Sequence, residues 1–392
     1  MPPNTIPISL PTTRGSDAVD FLEAHGYMAR KPAIRSSAYE EARNCEFSFY
    51  LKERLGIQPL TKLNEPLLFG SWFHTGMECL LLGYDDIATK TLVTSRTLES
   101  SLELKEACRS IPNGLLDGAI AGVNRIRDRA LICQQEAWAT QPLPPQYDVI
   151  DAEPLLTLEG ASLKMRIKSP IVVRLDGLLY NKDTNTIWIL DVKTTKGSTA
   201  ARIETCPFEF QTWLYRLVVV SLMRSGALFE AYPRIPKNAL FGGMMHYVAR
   251  RPEIRVKQTD LKKGEAYAEA QYQLRVRNWY RGEGEFLHHK SDFASNPPVL
   301  VSMVSWPASH HPLDDAEFYF KLTYIDDLCV KPAVPEFFPR ASSYIRSFSN
   351  FDRDFRTGLS VYAPFYADNS IPLWPQIIQR GFRIKWRDLP KP

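Results

Sequence analysis

No apolar run in this 392-residue sequence approaches the ~20 residues needed to cross a bilayer; the longer ones, such as Leu217 to Met223, stop far short. No Cys-x-x-Cys pair occurs either. The six cysteines (Cys45, Cys79, Cys108, Cys133, Cys206 and Cys329) are scattered, which argues against a zinc ribbon or a disulfide framework and predicts reduced, mostly buried thiols. There is no G-x-x-x-x-G-K-[ST] phosphate loop, so any motor must belong to another chain. Internal repeats and low-complexity tracts are absent too. Excess charge is small: 48 Lys and Arg against 44 Asp and Glu leave a net +4, so a basic surface for a polyanion has to be local. The N-terminal text is polar and proline-rich where a signal peptide has an apolar core, and the expectation is a cytoplasmic protein without a membrane partner.

What is there reads as a folded globular chain. Hydrophobic residues make up 44% and charged residues 23%, and the length allows two or three units or one core with large additions. The spacing predicts an extended lead-in over 1–15 and a short helix over 16–26. Ser37 with Glu40 forms a capping box for a helix through Cys45 and Phe49 to Gly56. Further helices are predicted over 67–82, 99–109 and 113–138, and Gln141-Pro-Leu-Pro-Pro145 stops the last of them. The period then changes to that of strands, with runs at 147–157, 163–168, 171–180 and 186–193, and with Asn181 to Asn185 as a turn. A helix over 205–224, strands at 241–249 and 253–257, and a helix over 260–281 opened by Thr259 follow. These shifts suggest three regions: a helical part over 1–145, a core over 146–290, and an irregular aromatic-rich extension over 291–392 packed on the core.

The informative stretch is Ile171-Val-Val-Arg-Leu-Asp176-Gly, a turn, and then Ile187-Trp-Ile-Leu-Asp191-Val-Lys193. On a strand Ile187, Ile189, Asp191 and Lys193 share one face. An apolar strand that ends by presenting a carboxylate and an ammonium is costly unless the charges are used. If the two strands form a hairpin, Asp176 approaches Asp191, and a divalent cation relieves the repulsion. Oxygen ligands select Mg²⁺ or Mn²⁺, which polarise a phosphoryl oxygen and acidify a bound water, with Lys193 beside them to stabilise developing negative charge. Taken alone, Asp191-x-Lys193 also reads as a surface ion pair.

Other residues accompany this pair in order. Gly70-Ser-Trp-Phe-His74 lies upstream and Gln211-Thr-Trp-Leu-Tyr215 downstream, with His74 and Glu78 on one helical stripe and Gln211 and Tyr215 four apart on another. In this order they resemble the PD-(D/E)XK nucleases, specifically the RecB-like branch, over roughly residues 36–290. The resemblance implies a restriction-endonuclease-like α/β core, a mixed central sheet flanked by helices, with a helical N-terminal part and an irregular C-terminal extension. It implies that His74, Asp176, Asp191 and the Val192 carbonyl bind Mg²⁺ or Mn²⁺, that Lys193 is the catalytic lysine, and that Gln211 and Tyr215 line the site. Glu153 and Glu78 are minor candidates beside it, Glu78 reading equally as an ordinary helix carboxylate. Some relatives carry an iron–sulfur cluster. Cys45 stands where its first cysteine belongs, but the tail around Pro339 to Ser349 offers no cysteine, so no cluster is expected.

The implied substrate is DNA, the implied activity phosphodiester hydrolysis, and the implied setting exonucleolytic recombination, repair or phage replication in a bacterial or phage-infected cell. A recombination or single-strand-binding protein is a candidate partner. A flap or branch endonuclease with the same site, and a silent DNA-binding module of the same fold, remain as alternatives. Arg250, Arg275, Arg277, Trp279 and Arg281 interleave cations with aromatic rings, as phosphate contacts and base stacking require, and read equally as a solvated helix face.

Overall fold

The computed structural model describes residues 32–44, 49, 53, 57–59, 65–107, 113–160, 167–283, 296–306, 311–330 and 382–384. In chain order the helices are α1 (Ser36–Asn44), α2 (Glu65–Leu81), α3 (Asp86–Ala107), α4 (Asn113–Thr140), α5 (Thr199–Thr205), α6 (Phe210–Ser225), α7 (Ala227–Ala231), α8 (Gln258–Leu261), α9 (Glu265–Arg281) and α10 (Ala316–Val330). The strands are β1 (Ile57–Pro59), β2 (Tyr147–Ala152), β3 (Leu155–Leu158), β4 (Ile171–Arg174), β5 (Gly177–Asn181), β6 (Thr186–Thr195), β7 (Leu240–Arg250), β8 (Val299–Ser305) and β9 (Phe382–Ile384). The chain divides into two compact units, one built from Leu63–Leu158 and Val172–Tyr319, the other from Met1–Lys62, Glu159–Ile171 and Phe320–Pro392.

The first unit holds a five-stranded mixed sheet in the order β2-β5-β6-β7-β8. Its N-terminal half is a meander: β2 pairs antiparallel with β5, and β5 with β6 across the Asn181 to Asn185 turn. The Asn181 side chain shapes that turn by accepting from the Asp183 and Thr184 amides, and Asn185 adopts φ 51°, a conformation asparagine tolerates well. β6 and β7 pair in parallel, which a tight turn cannot connect. The crossover runs through α5, a 3₁₀ turn at Cys206–Phe208, α6 and α7. Pro207 explains why the long helix begins at Phe210 and not at 205: that turn takes the proline at its start and a new helix follows.

Alternation along β6 sorts its side chains onto two layers. Trp188, Leu190 and Val192 join a core with Phe69, Trp72, Phe73 and Met77 of α2, Ala130, Cys133 and Ala137 of α4, and Tyr272, Val276 and Tyr280 of α9. Ile187, Ile189, Asp191 and Lys193 occupy the other face, where Gln211 of α6 meets Lys193. A strand covered on both faces reads as a nearly continuous apolar run, and Ile187 to Leu190 are all buried. The helix layer is tight at Gly76. A Cβ there would stand 2.5 Å from Oε1 of Gln134 on α4.

Several elements differ from the sequence expectation for local reasons. The run at 147–157 breaks after Ala152, where Glu153 takes φ 55° ahead of Pro154, and the run at 171–180 breaks at Leu175–Asp176. The helix expected over 260–281 is interrupted by Gly264 at φ 110°, leaving the short α8 and the long α9. Residues 253–257 form no strand after Pro252. Within the stretch expected to be irregular, Val299–Ser305 closes the sheet as an antiparallel edge strand. Only Val299 of it is fully buried, which is why its pattern was weak.

In the second unit the α1 side chains Ala38, Tyr39 and Ala42 are buried, β1 pairs antiparallel with β9, and the Asp326 carboxylate accepts from the Lys168 and Ser169 amides. Among the described residues no helix is long and apolar enough to cross a membrane. The lead-in at 1–15, the helix expected over 16–26, most of the strand expected at 163–168, Cys45, and the tail beyond 330 apart from 382–384 lie outside the described residues.

Candidate active site

The antiparallel register Gly177↔Leu190 puts Asp176 and Asp191 at the next step outward on their two strands. Their carboxylates nevertheless face different partners. Asp176 Oδ2 accepts from the Val192 amide at 2.6 Å, while Oδ1 lies 2.9 Å from His74 Nδ1. Glu153 approaches from the β2–β3 connection, its Oε1 3.8 Å from the same imidazole nitrogen. Its amide donates to the Asp176 carbonyl at 3.2 Å. A left-handed backbone at a glutamate costs about 1 kcal/mol. Such local strain is characteristic of functional sites.

His74, Glu153 and Asp176 offer one imidazole nitrogen and two carboxylate oxygens within 4.8 Å of one another, and all three are partly open to solvent. That donor set fits a hard divalent cation. Burial works against a charged His74, but the Asp176 carboxylate, its hydrogen bond and that of Glu153 override burial and hold the imidazole up at about 10. The two carboxylates beside the imidazole make an anionic nest, an electrostatic setting that favours a bound cation.

Asp191 stands on the far side of the Val192 peptide, almost wholly buried. Its Oδ1 accepts from Lys193 Nζ at 2.7 Å and its Oδ2 lies 3.0 Å from His246 Nδ1. Burial alone raises the Asp191 carboxyl, yet Lys193 and His246 reverse this and hold it at about 2. Burial likewise opposes the Lys193 ammonium, and the Asp191 and Asp176 carboxylates keep it charged and above its ordinary range. Lys193 Nζ also donates to Gln211 Oε1 at 2.9 Å, and Gln211 Nε2 donates to the Tyr215 hydroxyl at 2.6 Å. Burial, then the two aspartates, push the Tyr215 phenol far up, so it stays protonated. The i, i+4 spacing of Gln211 and Tyr215 on α6 therefore becomes one polar chain ending on the lysine.

Lys193 and the His74 cluster border an open cleft of about 710 Å³ lined by Gly70, His74, Glu153, Asp176, Lys193 and Thr194, with Arg96 and Arg174 among its other walls. Arg96 is tethered, donating to Thr75 Oγ1 at 2.7 Å and pairing with Glu78 at 2.8 Å. Glu78 thus serves Arg96 on α3. Arg174 is exposed and is drawn into no ion pair among the described residues.

The site thus combines a carboxylate before β5, an Asp-x-Lys near the end of β6 and a histidine brought to them from α2. The profile of the PD-(D/E)XK nuclease superfamily matches residues 36–296. The chain belongs to that superfamily. Its members are metal-dependent nucleases, so the chain is a nuclease by family and its implied substrate is DNA. No curated protein matches the chain.

The cleft gathers His74, Glu153, Asp176, Val192 and Lys193, whereas Asp191, Gln211 and Tyr215 stand behind Lys193. Arg250, Arg275, Arg277, Trp279 and Arg281 lie elsewhere. Arg275 pairs with Asp260 at 2.7 Å, Arg277 and Arg281 lie 3.2 and 3.9 Å from the Glu136 carboxylate on α4, and Arg250 sits over the Trp279 ring at 5.6 Å. None of the five lines the cleft. Sequence reasoning passed over Arg174, Arg96 and His246. Arg174 stands two residues before Asp176, a spacing that puts them on one face of an extended chain; His246 is a lone imidazole in the apolar run Met244 to Ala249.

Proposed function

We propose that the chain is a Mg²⁺- or Mn²⁺-dependent deoxyribonuclease of the RecB-like branch, acting as an exonuclease in recombination, repair or phage replication. The observation that carries this reading is the convergence of His74, Glu153 and Asp176 beside Lys193 in one open cleft. In this reading His74, Asp176 and Glu153 hold the ion, with Asp191 and the Val192 carbonyl completing its surroundings. A hard divalent ion held there would supply Lewis acidity to a phosphoryl oxygen and lower the pKa of a nearby water.

The chain's own contribution is positional and electrostatic. Lys193, oriented by Asp191 and Gln211, sets a fixed ammonium against the negative charge that builds on the phosphoryl oxygens. Tyr215 holds the Gln211 amide so that its oxygen faces the lysine. Arg174 and Arg96 supply cations where the neighbouring phosphates run along the cleft.

The test is a Mn²⁺-supplemented digestion of end-labelled linear DNA and closed circular DNA by the wild type and by Lys193→Ala. The expected result is loss of linear DNA from its ends, spared circles, and little cleavage by the variant. Cut circles would move the assignment to an endonuclease acting on flaps or branches. DNA binding without cleavage by the wild type would leave a silent module of the same fold. Equal cleavage by both proteins would defeat the role of Lys193.

A further inference from the structure

We propose that His246 is a positioning residue for the active site: its imidazole on β7 fixes the rotation of the Asp191 carboxylate, and through it the placement of Lys193. This rests on the nuclease reading above and adds a residue to it.

The placement is dictated by the sheet. β6 and β7 run parallel with Asp191 paired to His246, so both side chains leave the same face at the same level. The His246 side chain is wholly buried and its Nδ1 lies 3.0 Å from Asp191 Oδ2. A carboxylate oxygen only accepts, so the shared proton is carried by Nδ1. Nε2 is buried and has no hydrogen-bond partner among the described residues. An imidazole with one unsatisfied nitrogen inside an apolar strand is an expensive choice for packing alone. The neighbours Met245, Tyr247 and Val248 are all core side chains, and an apolar residue at 246 would avoid that cost.

The geometry makes sense once the carboxylate is considered whole. Lys193 Nζ takes Oδ1, and Gln211 steadies Lys193 from the other side. With only these contacts the Asp191 carboxylate could pivot about its Cβ–Cγ bond. The His246 bond on Oδ2 removes that freedom and completes a chain His246–Asp191–Lys193–Gln211–Tyr215 across β7, β6 and α6. Partners of this sort, which orient the groups around a metal, typically govern metal affinity or activity by about 10–100-fold.

The experiment compares His246→Asn, His246→Gln and His246→Phe. An asparagine amide nitrogen reproduces the position of Nδ1, a glutamine amide nitrogen that of Nε2, and phenylalanine fills the volume with no donor. Mn²⁺ binding is measured without DNA from the free-ion electron paramagnetic resonance signal, alongside the Mn²⁺ dependence of DNA cleavage and the thermal midpoint. The expected result is Mn²⁺ affinity within about 3-fold of wild type for Asn, and weakening by about 10–100-fold for Gln and Phe, with cleavage shifted to higher Mn²⁺. If Phe fails to fold, the contrast between Asn and Gln decides. Equal Mn²⁺ affinity in all variants, equal weakening by Asn and Gln, or loss of the fold in all three would overturn the proposal and make His246 a packing residue. A wild type that binds Mn²⁺ and cleaves while the variants behave like it sinks only this inference. A wild type that neither binds Mn²⁺ nor cleaves sinks the nuclease reading first.

Discussion

Asp191 and Lys193 should be far more valuable together than apart, and stability and cleavage should report this differently. The ion pair is almost fully enclosed, with the Asp191 side chain 2% and the Lys193 side chain 15% exposed. Lys193→Met keeps the length and volume of the stem but leaves the carboxylate without its cation, held by His246 and by a long bond from Gln211. Asp191→Asn strands the ammonium on Gln211. Removing one partner of a buried pair costs ~3–5 kcal/mol, and the surviving hydrogen bonds reduce this to about 2 kcal/mol for each single variant. Replacing both removes the uncompensated charge, so the double variant should lose only about 1 kcal/mol, roughly 3 kcal/mol less than the sum of the singles. In thermal denaturation followed by circular dichroism, each single variant should melt about 4–8 °C low and the double about 2–4 °C low. Cleavage should fall by about 100-fold or more in all three proteins, because the fixed ammonium is lost or misdirected in each. Additive stability losses would show that the two charges are not coupled in the folded state. Cleavage by the double variant at the wild-type rate would show that the chemistry does not use them.

Three further outcomes follow from other parts of the molecule. Gly243→Ala should destabilise the protein by about 2–4 kcal/mol, read from a urea midpoint, because its Cβ would stand 2.1 Å from the Val304 carbonyl oxygen at φ +148°, inside the β7–β8 pairing; an unchanged midpoint would refute this. Cys79, Cys133, Cys206 and Cys329 are buried, and burial pushes the Cys133 thiol up to about 12 and the Cys206 thiol up to about 11. Peptide mapping after mild alkylation at pH 8 should find these four unmodified until denaturant is added, since the thiolate is the reacting form, and labelling of Cys133 in the folded protein would contradict the packing of α4. Arg174→Ala should weaken DNA binding similarly across sequences and lower the log–log salt slope by about 1; an unchanged slope would remove Arg174 from the phosphate path.

Much of this site was legible because strands and helices have fixed periods. Alternation along β6 was enough to place Asp191 and Lys193 on one face, and the 3.6-residue turn was enough to align Gln211 with Tyr215. The order of motifs along the chain was enough to suggest the family. Local pattern also located the turn at Asn181 to Asn185, whose asparagines were chosen for that backbone. The weakly patterned edge strand β8 escaped notice for the converse reason: one buried residue leaves no period to read.

Tertiary structure alone decided which partners each charged group met. His74 and Asp176 are 102 residues apart, and only the packing of α2 on the sheet brings the imidazole to 2.9 Å. Parallel registry between β6 and β7, a non-local choice, delivered His246 to within 3.0 Å of Asp191. The interleaved arginines of α9 suit a nucleic-acid surface or a solvated helix face alike, and only the fold sets Glu136 on α4 and Asp260 on α8 across from them. Periodicity tells a side chain which way to face; what waits there depends on segments that sequence distance separates, because long-range pairing is settled by the burial of the whole core and not by any local run of residues.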